Sequence, residues 1–250
     1  MNQAIIIGAT SGIGKEVATR LLEQGWRVGV AGRREQALAA LQESYGTERV
    51  VIAPMDVTTQ ESVEKLDDLL KTVPSPDLFL YMSGVGYQNV ELDEEKELRT
   101  VRTNCEGMVR MVDHFLNYVK SNRDYSASRK AHVAVVTSVA GTAGMGTAPA
   151  YSATKRMQST YLTALSQWSR MERVPVVFTD IKPGFVATDI LNQDKHYPML
   201  MDKEKAASHV LKAIRKRKRV YVFDWRFRVL VFFWRLVPRC LWERVRNVRS

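Results

Sequence analysis

Short apolar runs alternate with stretches of helical periodicity along most of this chain, and that alternation leaves few folds open. Runs at 4–7, 27–31 and 50–53 precede helical patterns at 14–24, 36–45 and 61–72. Further runs at 78–82, 133–137 and 176–181 bracket helical stretches at about 98–120 and 151–171. The runs are apolar on both faces, as strands inside a buried parallel sheet require. Repetition of strand, helix, strand predicts an α/β fold: a doubly wound Rossmann-type parallel sheet of about seven strands with helices on both faces. No repeat or Pro/Gly-rich linker interrupts it. One domain is expected over 1–222, including a loop at 185–203 and a helix at 203–216, and a separate segment over 223–250.

A 250-residue chain that is 45% hydrophobic and 26% charged has globular composition, which excludes disorder as its overall state. Its two cysteines, Cys105 and Cys240, lie far apart without metal-ligand spacing; no disulfide framework and no metal site are expected, and a reducing compartment fits. The chain enters Ile5-Ile6-Ile7 without a charged leader, so a cytoplasmic location is expected. The formal net charge is +10, but it is unevenly placed. From Arg215 onward there are twelve basic residues and two acids, a balance of +10, while the preceding 214 residues hold 25 of each sign. The sequence is a neutral body with a basic tail.

Gly8-Ala9-Thr10-Ser11-Gly12-Ile13-Gly14 falls between the first strand and the first helix. Glycines there let the backbone turn tightly and approach a pyrophosphate, which the helix N–H groups and dipole then hold. A tight connection without a ligand has the same appearance. The second strand ends in Gly32-Arg33-Arg34, with no acid to bind a ribose 2′-hydroxyl and two guanidiniums suited to a 2′-phosphate, which favours NADP over NAD. Solvated surface arginines are the alternative reading.

Tyr151 and Lys155 are four residues apart and share a helix face, and Ser138 ends a strand upstream. A free phenol titrates near about 10, too high for ready proton exchange at neutral pH; a neighbouring ammonium favours the phenolate. A serine hydroxyl beside it suits charge developing on a substrate oxygen. By itself the Tyr/Lys spacing is common on helix surfaces.

Together, the glycine turn, the basic end of strand two, Ser138 and Tyr151-Ser-Ala-Thr-Lys155 resemble the short-chain dehydrogenase/reductase family over about residues 3–222. The resemblance implies an NADP(H)-dependent oxidoreductase that moves a hydride between nicotinamide and a carbonyl or secondary alcohol. It implies a catalytic set of Asn104, Ser138, Tyr151 and Lys155, with Asn104 orienting a proton-relay water. It implies cofactor contacts from Gly8, Thr10, Ser11, Gly12, Ile13, Gly14, Arg33, Arg34, Gly84, Tyr151 and Lys155, from Asp56 and Val57 at the adenine, and from Pro183, Gly184 and Thr188 at the nicotinamide. A homodimer or tetramer through the two long helices is expected on the same ground. The sequence departs from the family where Tyr81-Met82-Ser83-Gly84 replaces NNAG, retaining only the glycine.

Specificity is expected in 141–150, with Gly141, Gly144, Met145 and Gly146, and in 185–203, with Phe185, Ile190, Leu191, Tyr197, Met199, Leu200 and Met201. These residues fit an apolar, lipid-like 3-keto substrate; completing the core is their other use. His196 reads as a loop histidine. A soluble 3-ketoacyl carrier-protein reductase is an alternative, and a non-catalytic NADP(H)-binding sensor or scaffold a second.

In the tail, the apolar run at 229–234 is six residues, against roughly 20 for a bilayer crossing. On a helical projection Arg228, Arg235, Arg239 and Arg246 fall within about 40° of one another, opposite Phe227, Leu230, Trp234, Val237, Leu241 and Val245. Pro238 breaks this helix in two. Such a segment fits an anionic membrane surface, with peripheral attachment on its inner face, or packing against the body or another subunit. No groove-reading or base-stacking module accompanies the charge, so no nucleic-acid partner is expected.

Overall fold

The computed structural model describes residues 1–188 and 197–245. Seven parallel strands form one sheet in the order β3-β2-β1-β4-β5-β6-β7. They are β1 (Gln3–Ile7), β2 (Arg27–Gly32), β3 (Val50–Pro54), β4 (Leu78–Tyr81), β5 (Ala131–Val136), β6 (Val176–Lys182) and β7 (Val220–Val222). The doubly wound Rossmann fold expected above is the one observed. Chain direction reverses its march across the sheet between β1 and β4, whose register pairs Ile7 with Tyr81.

Side chains along each strand alternate between two apolar layers. Ile5 and Ile7 enter the layer covered by α3 (Glu61–Thr72), α5 (Gly107–Ser121) and α6 (Pro149–Met171). Ala4 and Ile6 enter the layer covered by α1 (Gly12–Glu23), α2 (Glu35–Tyr45) and α7 (Lys203–Arg215). Each helix contributes one stripe: Met108, Met111, Val112, Phe115, Leu116 and Val119 repeat at three- and four-residue intervals along α5 and are all buried.

The expected single helix over about 98–120 is three pieces. It starts at α4 (Glu94–Val101), where the Asp93 carboxylate accepts from Lys96 N (3.3 Å) and Glu94, Glu95 and Glu97 lie at the positive end of the helix dipole. Apolar periodicity begins only at Leu98, so polar capping set a start that the apolar pattern could not show. A π-helical turn, Arg102–Glu106, then leads into α5.

Beyond β7 the tail forms α8 (Trp225–Leu236) and, after Pro238, α9 (Arg239–Trp242). The break falls at the proline. Phe223, Phe227 and Val231 are buried against the body, so the segment is docked along one side of α8. Ile190, Leu191, His196, Arg246 and Arg249 lie outside the described residues.

Candidate active site

The carboxyl ends of β1, β2, β4, β5 and β6 open into a cavity of about 700 Å³. Every residue nominated for the cofactor lines it, and so does Ser138. Gly8 takes φ +99°, and a Cβ there would stand 2.6 Å from Ser83 N; a Cβ on Gly14 would stand 2.0 Å from the Gly8 carbonyl oxygen. Only glycine lets β1, the start of α1 and the loop after β4 approach so closely. The first turn of α1 carries no acid, and the Ser11 side chain makes no cap. This end of the helix therefore meets the cavity with main-chain donors and no competing negative charge, as a diphosphate requires.

At the end of β2, Arg33 and Arg34 line the same cavity, and Arg34 Nε donates to Thr10 Oγ1 (3.4 Å). Burial raises the pKa of Asp56, but hydrogen bonds from Thr58 N (2.9 Å) and Thr58 Oγ1 (2.8 Å) and the charges of Arg33 and Arg99 outweigh it. The carboxyl sits below its ordinary range. Arg99 reaches this pocket from α4, remote in sequence, and no local signal nominated it.

Tyr151 and Lys155 project from the first turns of α6, whose start is fixed by Glu97 of α4 accepting from Ala150 N (2.7 Å). The Tyr151 phenol and the Ser138 side chain line the same cavity. Ser138 Oγ accepts from Ala140 N (3.1 Å), which holds the serine at the end of β5. Burial pushes the phenol above its ordinary pKa, and the Ser138 hydroxyl partly offsets the rise. Lys155 Nζ lies 5.8 Å from the Tyr151 ring centroid and donates to the Val136 carbonyl (3.1 Å). Burial pushes Lys155 down to about 8; Asp180 and Cys105 oppose the shift, and Lys182 adds to it.

Asn104 is fully buried within the π turn. Its Oδ1 accepts from Val85 N (2.9 Å), and its Nδ2 donates to Val85 O (2.8 Å) and Thr154 Oγ1 (3.0 Å). Its main-chain carbonyl accepts from Gln158 Nε2 (2.8 Å). A π turn shifts the helical register by one residue and recurs at functional sites. A Cβ on Gly84 would stand 3.2 Å from Asn104 Oδ1 and 3.4 Å from Lys155 Nζ, so the two side chains meet across this glycine. Gly86 is a residue that the sequence reading missed: its own Cβ would lie 2.6 Å from the Tyr151 ring.

The family profile of the short chain dehydrogenases matches residues 2–198. This chain belongs to that family. The short-chain dehydrogenase is accordingly an oxidoreductase of CH–OH and C=O groups with a nicotinamide cofactor site. It is 29% identical to an uncharacterized oxidoreductase of Myxococcus xanthus, over 96% of this chain and 94% of that one. It is 31% identical to the glycine betaine reductase ATRR of Emericella nidulans over 87% of this chain, and it spans 18% of that much longer protein. In fold it resembles a 3-ketoacyl-(acyl-carrier-protein) reductase from Brucella melitensis complexed with NADH (TM-score 0.78, 19% identity, 89% of this chain and 96% of that one). It also resembles a short chain dehydrogenase from Burkholderia cenocepacia in complex with NADP (TM-score 0.80, 19% identity, 100% and 98%).

Two further features of this short-chain dehydrogenase were not nominated from its sequence. Behind Lys155, the buried Asp180 and Lys182 of β6 pair at 3.0 Å, and Thr137 Oγ1 donates to Asp180 (2.6 Å). Two charges in a mostly apolar strand were the available signal. The tail also reaches the site. A Cβ on Gly184 would collide with the Phe227 ring of α8, and Phe227 stacks edge-on to Phe185 with centroids 6.3 Å apart. Trp242 of α9 donates to the Gly144 carbonyl (2.7 Å), clipping the tail to the 141–150 loop.

Proposed function

We propose that this enzyme uses NADPH to reduce the carbonyl of an apolar, lipid-like 3-keto substrate, peripherally at the inner, cytoplasmic face of an anionic membrane, as a homodimer or tetramer. The observation that carries the reaction is the gathering of Ser138, Tyr151 and Lys155 in one cavity with Arg33 and Arg34. The backbone of Gly8–Gly14, with Thr10, Ser11, Gly12 and Ile13, would hold the diphosphate, and Arg33 and Arg34 the 2′-phosphate that distinguishes NADP from NAD. Asp56 and Val57 would flank the adenine; Gly84, Pro183, Gly184 and Thr188 would bound the nicotinamide.

When bound, the dinucleotide supplies the hydride. Ser138 hydrogen-bonds the carbonyl oxygen and Tyr151 delivers its phenolic proton to it. Lys155, as the ammonium, steadies the resulting phenolate and holds the nicotinamide ribose. Asn104 orients a relay water through which the proton on Tyr151 is replaced. Burial alone makes Tyr151 a reluctant acid, so these neighbours lower the barrier by stabilising charge where it develops.

Tyr151→Phe should abolish NADPH oxidation with any carbonyl while leaving NADPH binding, followed by quenching of protein fluorescence, within about twofold. Near-native turnover in that variant would overturn the assignment. The likeness in fold to a 3-ketoacyl-(acyl-carrier-protein) reductase favours a second reading, a soluble reductase of carrier-bound 3-ketoacyl groups. Turnover of a panel graded by acyl length, with and without liposomes, separates the two. A sensor or scaffold that binds NADP(H) without turnover would consume no NADPH with any member.

A further inference from the structure

The two sides of α8 have different fates. Phe227 and Val231 are buried and Trp234 is half-buried against the body, and on a helical projection they occupy one side. Phe227 and Trp234 belong to the face for which the sequence left lipid contact and packing both open, and here they pack. The opposite side carries a second apolar stripe. Trp225, Val229, Phe232, Phe233 and Leu236 are 67%, 47%, 62%, 61% and 64% exposed and fall within an arc of about 100°. Arg228 and Arg235, both exposed, border one edge of the arc; Arg226, at the other edge, is paired with Asp224 (2.6 Å). Soluble surfaces scatter single apolar side chains; five large ones in one stripe mark a contact surface.

We infer that this outer stripe inserts into an anionic phospholipid leaflet, with α8 lying in the plane of the interface. The inference deepens the membrane placement proposed above and does not depend on the reaction. Three observations select lipid as the occupant. The helix is 12 residues long, and no described helix is long and apolar enough to cross a membrane, so α8 lies on a bilayer and does not span it. Arg228 and Arg235 are placed to meet lipid phosphates while the aromatic rings occupy the headgroup boundary. A symmetric contact with a second copy would press two tails of like charge together, since residues 215–250 carry +10. The docked side of α8 rests on Gly184 and Phe185, so the leaflet would lie about one helix diameter, roughly 10 Å, from the nicotinamide turn.

The test is sedimentation of the full chain with vesicles of phosphatidylcholine alone or with about one-third phosphatidylglycerol. The wild type should partition to the anionic vesicles. Phe232→Ser with Phe233→Ser should lower that partitioning at least about tenfold, because both rings leave the leaflet. The same variant should retain its melting temperature and its NADPH turnover of a small, water-soluble ketone, since both side chains are exposed. A wild type that ignores anionic vesicles overturns the inference while leaving the reductase reading intact. Equal partitioning of the variant overturns the assignment of this face. A variant that loses an oligomer, with unchanged partitioning, makes a second copy the occupant instead.

Discussion

Lys155 is buried beside charges of both signs. Burial lowers its pKa to about 8, Asp180 is the largest influence opposing that fall, and Lys182, paired with Asp180, reinforces it. Asp180 is thus a positioning residue that acts through the lysine. Asp180→Asn keeps the side chain's shape but removes the charge, so the Lys155 pKa drops further and the ammonium is lost at lower pH. With the ammonium required, the alkaline limb of kcat/KM against pH should move down by about one unit or more. An unmoved limb would show that Asp180 does not set the lysine. The substitution also strands Lys182 in the interior and should cost about 3 kcal/mol in denaturant unfolding. At this scale the sequence was informative where spacing is local. Tyr151 and Lys155 share a helix turn, and Ser138 ends a strand. Asp180, Arg99 and Gly86 reach the site from distant segments, and a linear reading cannot measure that distance.

Among the elements, α8 and the π turn separate what periodicity can and cannot convey. Strands and core helices follow from apolar patterns, and the Pro238 break follows from its missing N–H. The π turn leaves no such trace, because it adds one residue to a turn inside a pattern that continues on both sides. Asn104 was nominated by resemblance alone for that reason. For α8, a projection sorts side chains into faces but does not say which face docks; Val139, Gly184 and Phe185 decide it by offering a seat to Phe227. Phe227→Ala should therefore cost about 3 kcal/mol in thermal or denaturant unfolding, the usual range for an emptied aromatic site. A loss below about 1 kcal/mol would mean that the helix is not seated as described.

For the molecule as a whole, charge and chemistry occupy different ends of the chain. Residues 1–214 are neutral in sum and contain the nominated catalytic and cofactor residues, whereas the last 36 carry the surplus. Raising the salt from about 0.1 M to about 1 M shortens the Debye length from about 10 Å to about 3 Å. Vesicle partitioning should then fall severalfold while turnover of a small soluble ketone changes little. Salt-insensitive partitioning would leave the arginines without a part in it. The division was legible from a residue count, as was the parallel sheet from its alternating runs; the outer stripe needed the docked helix to reveal it. Because α8 rests on Gly184 while its far side faces outward, an enzyme seated on lipid as proposed would draw its substrate laterally from the leaflet. Its rate would then obey surface dilution: added inert phospholipid should slow it at constant bulk substrate, with the mole fraction in the bilayer taking the place of molarity.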